Sequence, residues 1–263
     1  MMHKEAAWSL MNLFFIIPAC AGLLAYSWAV YKTNRVHRLR KWPVYRTFLW
    51  FAGIFCCLAA LVGPLAVLSR HSFTWHMAGH LLLGMLGPLL LVLAAPMTLL
   101  LRSLNVNRAR RISKLLSSQV ARFYTHPVTA SLLNIGGLWI LYTTGLFQAM
   151  HTSLLLHTIV HMHVFTAGYL FTISIINIDP VAHRYSFRFR TAVFILALAG
   201  HGILSKYLYA YPPVGVEIED VRLGAMLMYY GGDAVDLVLI IILFHQWYRK
   251  SRRRTVYATL TEH

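Results

Sequence analysis

The stretch Trp75-His76-Met77-Ala78-Gly79-His80-Leu81-Leu82-Leu83-Gly84-Met85-Leu86-Gly87-Pro88 runs on to Leu101 without one Asp, Glu, Lys or Arg. A bilayer core needs roughly 20 apolar residues in a helix, so this stretch is long enough to cross one. Two histidines four residues apart stand near its start, and a helix stacks such a pair on one face. The rest of the chain has the same character: of 263 residues, 58% are hydrophobic and 12% charged, well outside the composition of a soluble domain. Seven stretches reach the required length, about Trp8 to Tyr31, Tyr45 to Leu68, Trp75 to Leu101, Val128 to Phe147, Leu154 to Ile178, Thr191 to Leu208 and Val221 to Phe244. The expected fold is an all-α integral membrane protein, a single seven-helix transmembrane domain over residues 1–263.

Orientation follows from the cations, because positively charged loops stay cytoplasmic. Lys32, Arg35, Arg38, Arg40, Lys41 and Arg46 follow the first stretch, and Arg102, Arg108, Arg110, Arg111, Lys114 and Arg122 the third. Arg184, Arg188 and Arg190 follow the fifth, and Arg249, Lys250, Arg252, Arg253 and Arg254 the seventh. These gaps hold 20 of the 24 Lys and Arg residues. The predicted topology places the amino terminus outside and the carboxyl terminus in the cytoplasm, in a bacterial cytoplasmic (inner) membrane crossed several times. The net charge of +16 is then topological. Basic residues punctuate apolar runs instead of gathering on a solvated face, so no nucleic-acid partner is expected, and attraction to anionic headgroups of the lipid bilayer is a side effect.

The first stretch is too long for a signal-peptide core, and Ile17-Pro18-Ala19-Cys20 is a poor lipoprotein cleavage site, so a retained helix is expected. Cys20, Cys56 and Cys57 all fall in the first two stretches with no C-x-x-C spacing, which points to neither a disulfide framework nor a zinc finger. The loop from Tyr209 to Asp220 carries Glu217, Glu219 and Asp220 and reads as a solvated acidic loop or a docking point for an outside partner.

On this topology nine of the 14 histidines lie on the outer side. His76 and His80 on the third span match His157 and His161 on the fifth in depth and in spacing. Gly84 continues the face of the first pair and would let a neighbouring helix approach closely. His163 is turned roughly 160° from the second pair, while His201 and the thioethers of Met226 and Met228 fall in the same layer. An imidazole nitrogen in hydrocarbon without a partner costs several kcal/mol; interhelical hydrogen bonds could satisfy one such ring, and a shared metal ion would satisfy several together. Imidazole with nearby thioether suits copper, especially Cu(I), and zinc remains open.

Both pairs lack the glutamate that a hydrolytic His-x-x-x-His site uses as its base, and no enzymatic role is expected. A haem clamped between facing helices is an alternative, and so are a copper transporter and a scaffold without metal. A transporter would need polar groups continuing to the inner side, where His37, His126, His183 and His245 read as boundary residues. Asp233, near mid-membrane, would orient a histidine, accept a proton or make a structural hydrogen bond.

At these residues the chain resembles the multispanning CtaG family of cytochrome c oxidase assembly factors. The likeness runs through His76 to Leu83, Gly87-Pro88-Leu89, Ala95-Pro96, Leu156-His157 to His161 and Ala167-Gly168-Tyr169-Leu170-Phe171. It ends at Asp220, Gly224, Met228 and Gly231-Gly232-Asp233. Gly79 and Val221 stand where the family pattern often has Gln. The resemblance implies maturation of a haem-copper cytochrome c oxidase, with copper delivered to its binuclear centre. Oxidase subunits and a periplasmic copper carrier would be the partners. His76, His80, His157 and His161 would form the copper site, with His201, Met228 and Met162 as exchange ligands and His163 as a further candidate.

Overall fold

The structure is a computed structural model that describes residues 2–37, 39–181, 183–213 and 215–261, with side chains over 11–252 apart from the same three positions. Of the residues used above, Arg38 lies outside the described residues, and Trp8, Arg253 and Arg254 lie outside the described side chains. The described chain is helical throughout, with no strand among the described residues: α1 (Met2–Asn34), α2 (Val44–Leu68), α3 (Phe73–Ser103), α4 (Val106–Leu116), α5 (Gln119–Tyr124), α6 (Pro127–Thr143), α7 (Leu146–Thr152), α8 (Leu154–Ile175), α9 (Phe187–Ala210) and α10 (Ile218–Thr261). α1, α2, α3, α8, α9 and α10 are each long and apolar enough to cross a membrane.

The expected fourth span, Val128 to Phe147, is instead broken, and α6 and α7 meet at an angle of 78°. The cause is local. Thr143 and Thr144 donate their hydroxyls back to the carbonyls of Trp139 and Ile140, Thr144 adopts extended backbone, and Gly145 follows. Hydroxyl groups that compete for backbone partners, next to a glycine, end a helix whatever its hydropathy. Counted with this bent pair as one segment, the segments long and apolar enough to cross a membrane number seven among the described residues.

α3 is the centre of the bundle. It packs against α2, α8 and α10, and its second half packs against α1. A carboxylate from another element secures each part. At its start, Asp220 of α10 accepts hydrogen bonds from the Phe73 and Thr74 amides at 2.6 and 3.1 Å and from the Ser72 hydroxyl at 2.8 Å. Further along, Ala95 takes left-handed backbone (φ 53°) and Pro96 restarts the helix. There Asp179 accepts from the Met97 and Thr98 amides at 3.0 and 2.9 Å and from the Thr98 hydroxyl at 2.6 Å. These amides are the donors that a helix start leaves without an intrahelical partner.

Where α3 meets α8, a methyl group on Gly168 would strike the Gly84 carbonyl oxygen. The close approach expected at Gly84 is present, and α8 is the helix that makes it. α3 and α6 each contain one wide π turn, at Leu82–Leu86 and Leu132–Gly136. The histidine pair of α3 and the arginine at its far end, Arg102, mark opposite ends of the bundle. At one end Arg102 donates to the Arg40 carbonyl, His126 packs on Tyr185 and Phe187 stacks on Trp247. At the other, Ser72, Phe147, His151 and Asp220 gather round one depression.

Candidate functional site

His76 and His80 lie one turn apart on the first part of α3, both turned into the bundle, with 7% and 6% of their surface exposed. Their surroundings differ. The Nε2 atom of His76 is 3.0 Å from the Tyr142 hydroxyl at the end of α6, and the ring lies edge-on to Phe147. Both ring nitrogens of His80 are buried without a hydrogen-bond partner.

On α8, His161 donates from Nδ1 to the His157 carbonyl at 2.9 Å. That bond fixes the neutral tautomer and leaves the lone pair on Nε2. His76, His80 and His161 line one cavity of about 20 Å³ together with Tyr142, Leu83 and Val160. A space of that size holds one water-sized species. The His157 ring lies tilted against that of His161, centres 4.1 Å apart and planes 34° apart, without lining the cavity.

His201 enters from α9. It is 4% exposed, its Nε2 has no partner, and its ring centre is 6.4 Å from that of His80. These two rings share a second cavity of about 20 Å³ whose polar lining also includes Asn134, Thr172 and Asp236. His80 is the residue common to both cavities. Pockets for larger ligands run to several hundred Å³, so neither space accommodates a porphyrin. As the side chains stand, no three His, Cys, Asp or Glu residues among the described residues converge tightly enough to enclose one ion.

The remaining candidates are elsewhere. His163 points away and donates from Nε2 to the Leu133 carbonyl at 3.0 Å, packed against Gly137. That carbonyl lies in the π turn of α6, whose altered backbone bonding accommodates a side-chain donor. Met162 is 43% exposed, because it follows His161 by one residue and so is turned about 100° away from it around α8. Met228 is fully buried, but within an apolar cluster with Phe73, Met77 and Leu141. Met226 and Asp233 are exposed on α10. The inward acid on that helix is Asp236, one turn beyond Gly232, which faces His201.

Sequence reasoning did not single out Tyr142 or His151, and it gave Asp220 no role beyond the acidic loop and the family likeness. The bend after α6 lays α7 across the histidine end, where the His151 ring comes within 6.1 Å of His76. His151 also lines an open vestibule of about 330 Å³ with Arg70, His71, Glu217 and Asp220. The Thr143-Thr144-Gly145 break was the available signal for His151. Nothing in the hydropathy marked Tyr142.

The chain is similar to an uncharacterized protein of Mycobacterium bovis and to one of Mycobacterium tuberculosis, each 29% identical over 259 residues, 90% of this chain and 39% of theirs. A third uncharacterized protein, from Mycobacterium leprae, is 27% identical over 236 residues, 82% of this chain and 36% of its own length. The chain thus spans less than half the length of these curated relatives. No solved structure matches it. The sequence model of one family, the cytochrome c oxidase caa3 assembly factors (Caa3_CtaG), matches residues 24–250, from the middle of α1 into α10 and through every histidine discussed above. The chain belongs to that family, the cytochrome c oxidase caa3 assembly factors.

Proposed function

We propose that the chain assists the assembly of a haem-copper cytochrome c oxidase by holding copper, as Cu(I), in the cavity between α3 and α8 and releasing it toward the oxidase. The observation that carries this reading is His80, whose two buried nitrogens lack any partner. A buried polar atom left unpaired costs about 1–3 kcal/mol. An ion at His76, His80 and His161 would offset that cost, and the Nε2 lone pair of His161 is already free for it. The reading requires the three rings to turn toward one centre in the cavity they line. Imidazoles without a carboxylate at that cavity match a soft ion better than magnesium or manganese.

The vestibule supplies the route. Copper from a periplasmic carrier enters beside His71 and His151 and reaches His76 through the His151 ring. His157, whose ring lies against that of His161, is a hand-over ligand, and the acidic rim at Glu217 is a docking point for the carrier or for oxidase subunits. The protein on this reading is a non-catalytic, multi-pass component of a bacterial inner membrane. α6 crosses that membrane, because its start adjoins the His126–Tyr185 contact at the basic end and its last turn meets His76.

The test is metal content. Copper, zinc and haem are measured in the purified full chain after reconstitution with Cu(I), and in a His80→Ala, His161→Ala double variant. Copper in the wild type and its loss in the variant is the expected result. Equal copper in both, or a preference for zinc or haem, would overturn the reading.

A further inference from the structure

The second cavity is not used by that reading, and it has the features of a site. His80 and His201 are both more than nine-tenths buried, and three of their four ring nitrogens are buried without a partner. Asp236 is 4% exposed and makes no hydrogen bond or ion pair among the described residues. A lone carboxylate at such a depth is costly and is retained where something of opposite charge meets it. Arg190, the buried cation of α9, donates to the Ile175 carbonyl instead.

The spacing is also informative. Two nitrogens each roughly 2 Å from a linearly two-coordinate ion, with about 1 Å more from nitrogen to ring centre, set the rings about 6 Å apart. The observed separation is 6.4 Å, with the ring planes within 25° of each other. Gly232 fixes that placement: a methyl group there would come within 2.6 Å of the His201 ring, so α10 lies directly behind it. Asp236 follows one turn on, lining the same cavity.

The geometry points to a second, deeper Cu(I) position held by His80 and His201, with Asp236 as its counter-charge. One monovalent cation and one carboxylate make a neutral unit, the arrangement least penalised in a low-dielectric interior. A neutral imidazole has one lone pair, so His80 serves one cavity at a time. At low loading it completes the outer set with His76 and His161. At saturation those two retain the outer ion, and His80 turns to the inner one. His80 is therefore the hand-over ligand between two positions along α3. The identity of the ion rests on the copper reading above; the inner position rests on the second cavity.

Anaerobic Cu(I) titration of the full chain in detergent, against a chromophoric Cu(I) chelator, counts the equivalents bound at saturation. The wild type is expected to bind two. His201→Leu binds one, whereas His201→Met, of similar bulk but carrying a thioether donor, restores the second. Asp236→Asn weakens the inner equivalent by tenfold or more. His76→Ala with His161→Ala removes the outer equivalent and leaves the inner. Matching stoichiometry in wild type and His201→Leu, both folded by melting temperature, overturns the inner position while the outer one stands. Loss of all copper in His201→Leu with none lost in the His76→Ala, His161→Ala variant overturns the outer reading instead. A wild type that binds no copper overturns both.

Discussion

Tyr142 distinguishes two neighbouring imidazoles. Its hydroxyl occupies Nε2 of His76, while His80, one turn along, has nothing comparable. A copper ion recruiting His76 through that nitrogen must first displace the hydroxyl, so Tyr142 acts as a competitor for the outer position. Tyr142→Phe keeps the ring that packs on Phe73 and Phe147 and removes only the hydroxyl. Interhelical hydrogen bonds in membrane bundles contribute about 0.6 kcal/mol on average. The variant should therefore lose a degree or two of melting temperature in detergent and bind its first Cu(I) about threefold more tightly, which is about 0.6 kcal/mol. A weaker first Cu(I) would mean that the hydroxyl supports the site. His80 was legible in the sequence because a four-residue spacing dictates a shared face. Tyr142 was not, since an aromatic residue in an apolar run signals burial without direction.

At the scale of elements, the position of the histidines depends on how α3 begins. Asp220 meets three donors there, and substitution of such a cap typically costs 0.5–2 kcal/mol. Asp220→Ala should destabilise the chain by about 1–2 kcal/mol, read as a lowered detergent melting temperature, while Asp220→Asn, which keeps one acceptor oxygen, should lose less. Because His76 lies in the first turns of α3, Asp220→Ala should also weaken the first Cu(I) more than the second. Farther along, Gly168→Val would force a branched side chain against the Gly84 carbonyl and separate α8 from α3. Overpacking of this kind costs about 1–3 kcal/mol, read as a lowered detergent melting temperature. Gly84 was legible as a place of close approach, because small residues on a histidine face invite a neighbour. Asp220 read only as part of an acidic loop, since its partners are nearly 150 residues away in sequence. The bend between α6 and α7 escaped hydropathy because Thr and Gly barely lower an apolar average, yet they redirect the backbone.

For the whole molecule, the separation of cations from histidines decides which face of the membrane the site serves. Alternation of charge along the sequence was legible, and the fold turns it into two ends: arginines with tryptophans and tyrosines at one, histidines with the vestibule at the other. Which gap lies at which end follows from strand-like counting of spans only if α6 crosses, and the break at Thr144 made that count ambiguous. The contacts at the two ends of α6 support the proposal that it crosses. On that proposal the positive-inside rule orients the bundle with its basic end in the cytoplasm. Single-cysteine variants on a background of Cys20→Ser, Cys56→Ala and Cys57→Ala test it. In intact cells a membrane-impermeant maleimide should label Tyr211→Cys and Gly215→Cys, which are exposed at the histidine end. Leu115→Cys on α4 and His183→Cys, exposed at the basic end, should react only after the membrane is opened. The reverse pattern would turn the vestibule toward the cytoplasm and leave a periplasmic copper carrier without access to His151 and His76.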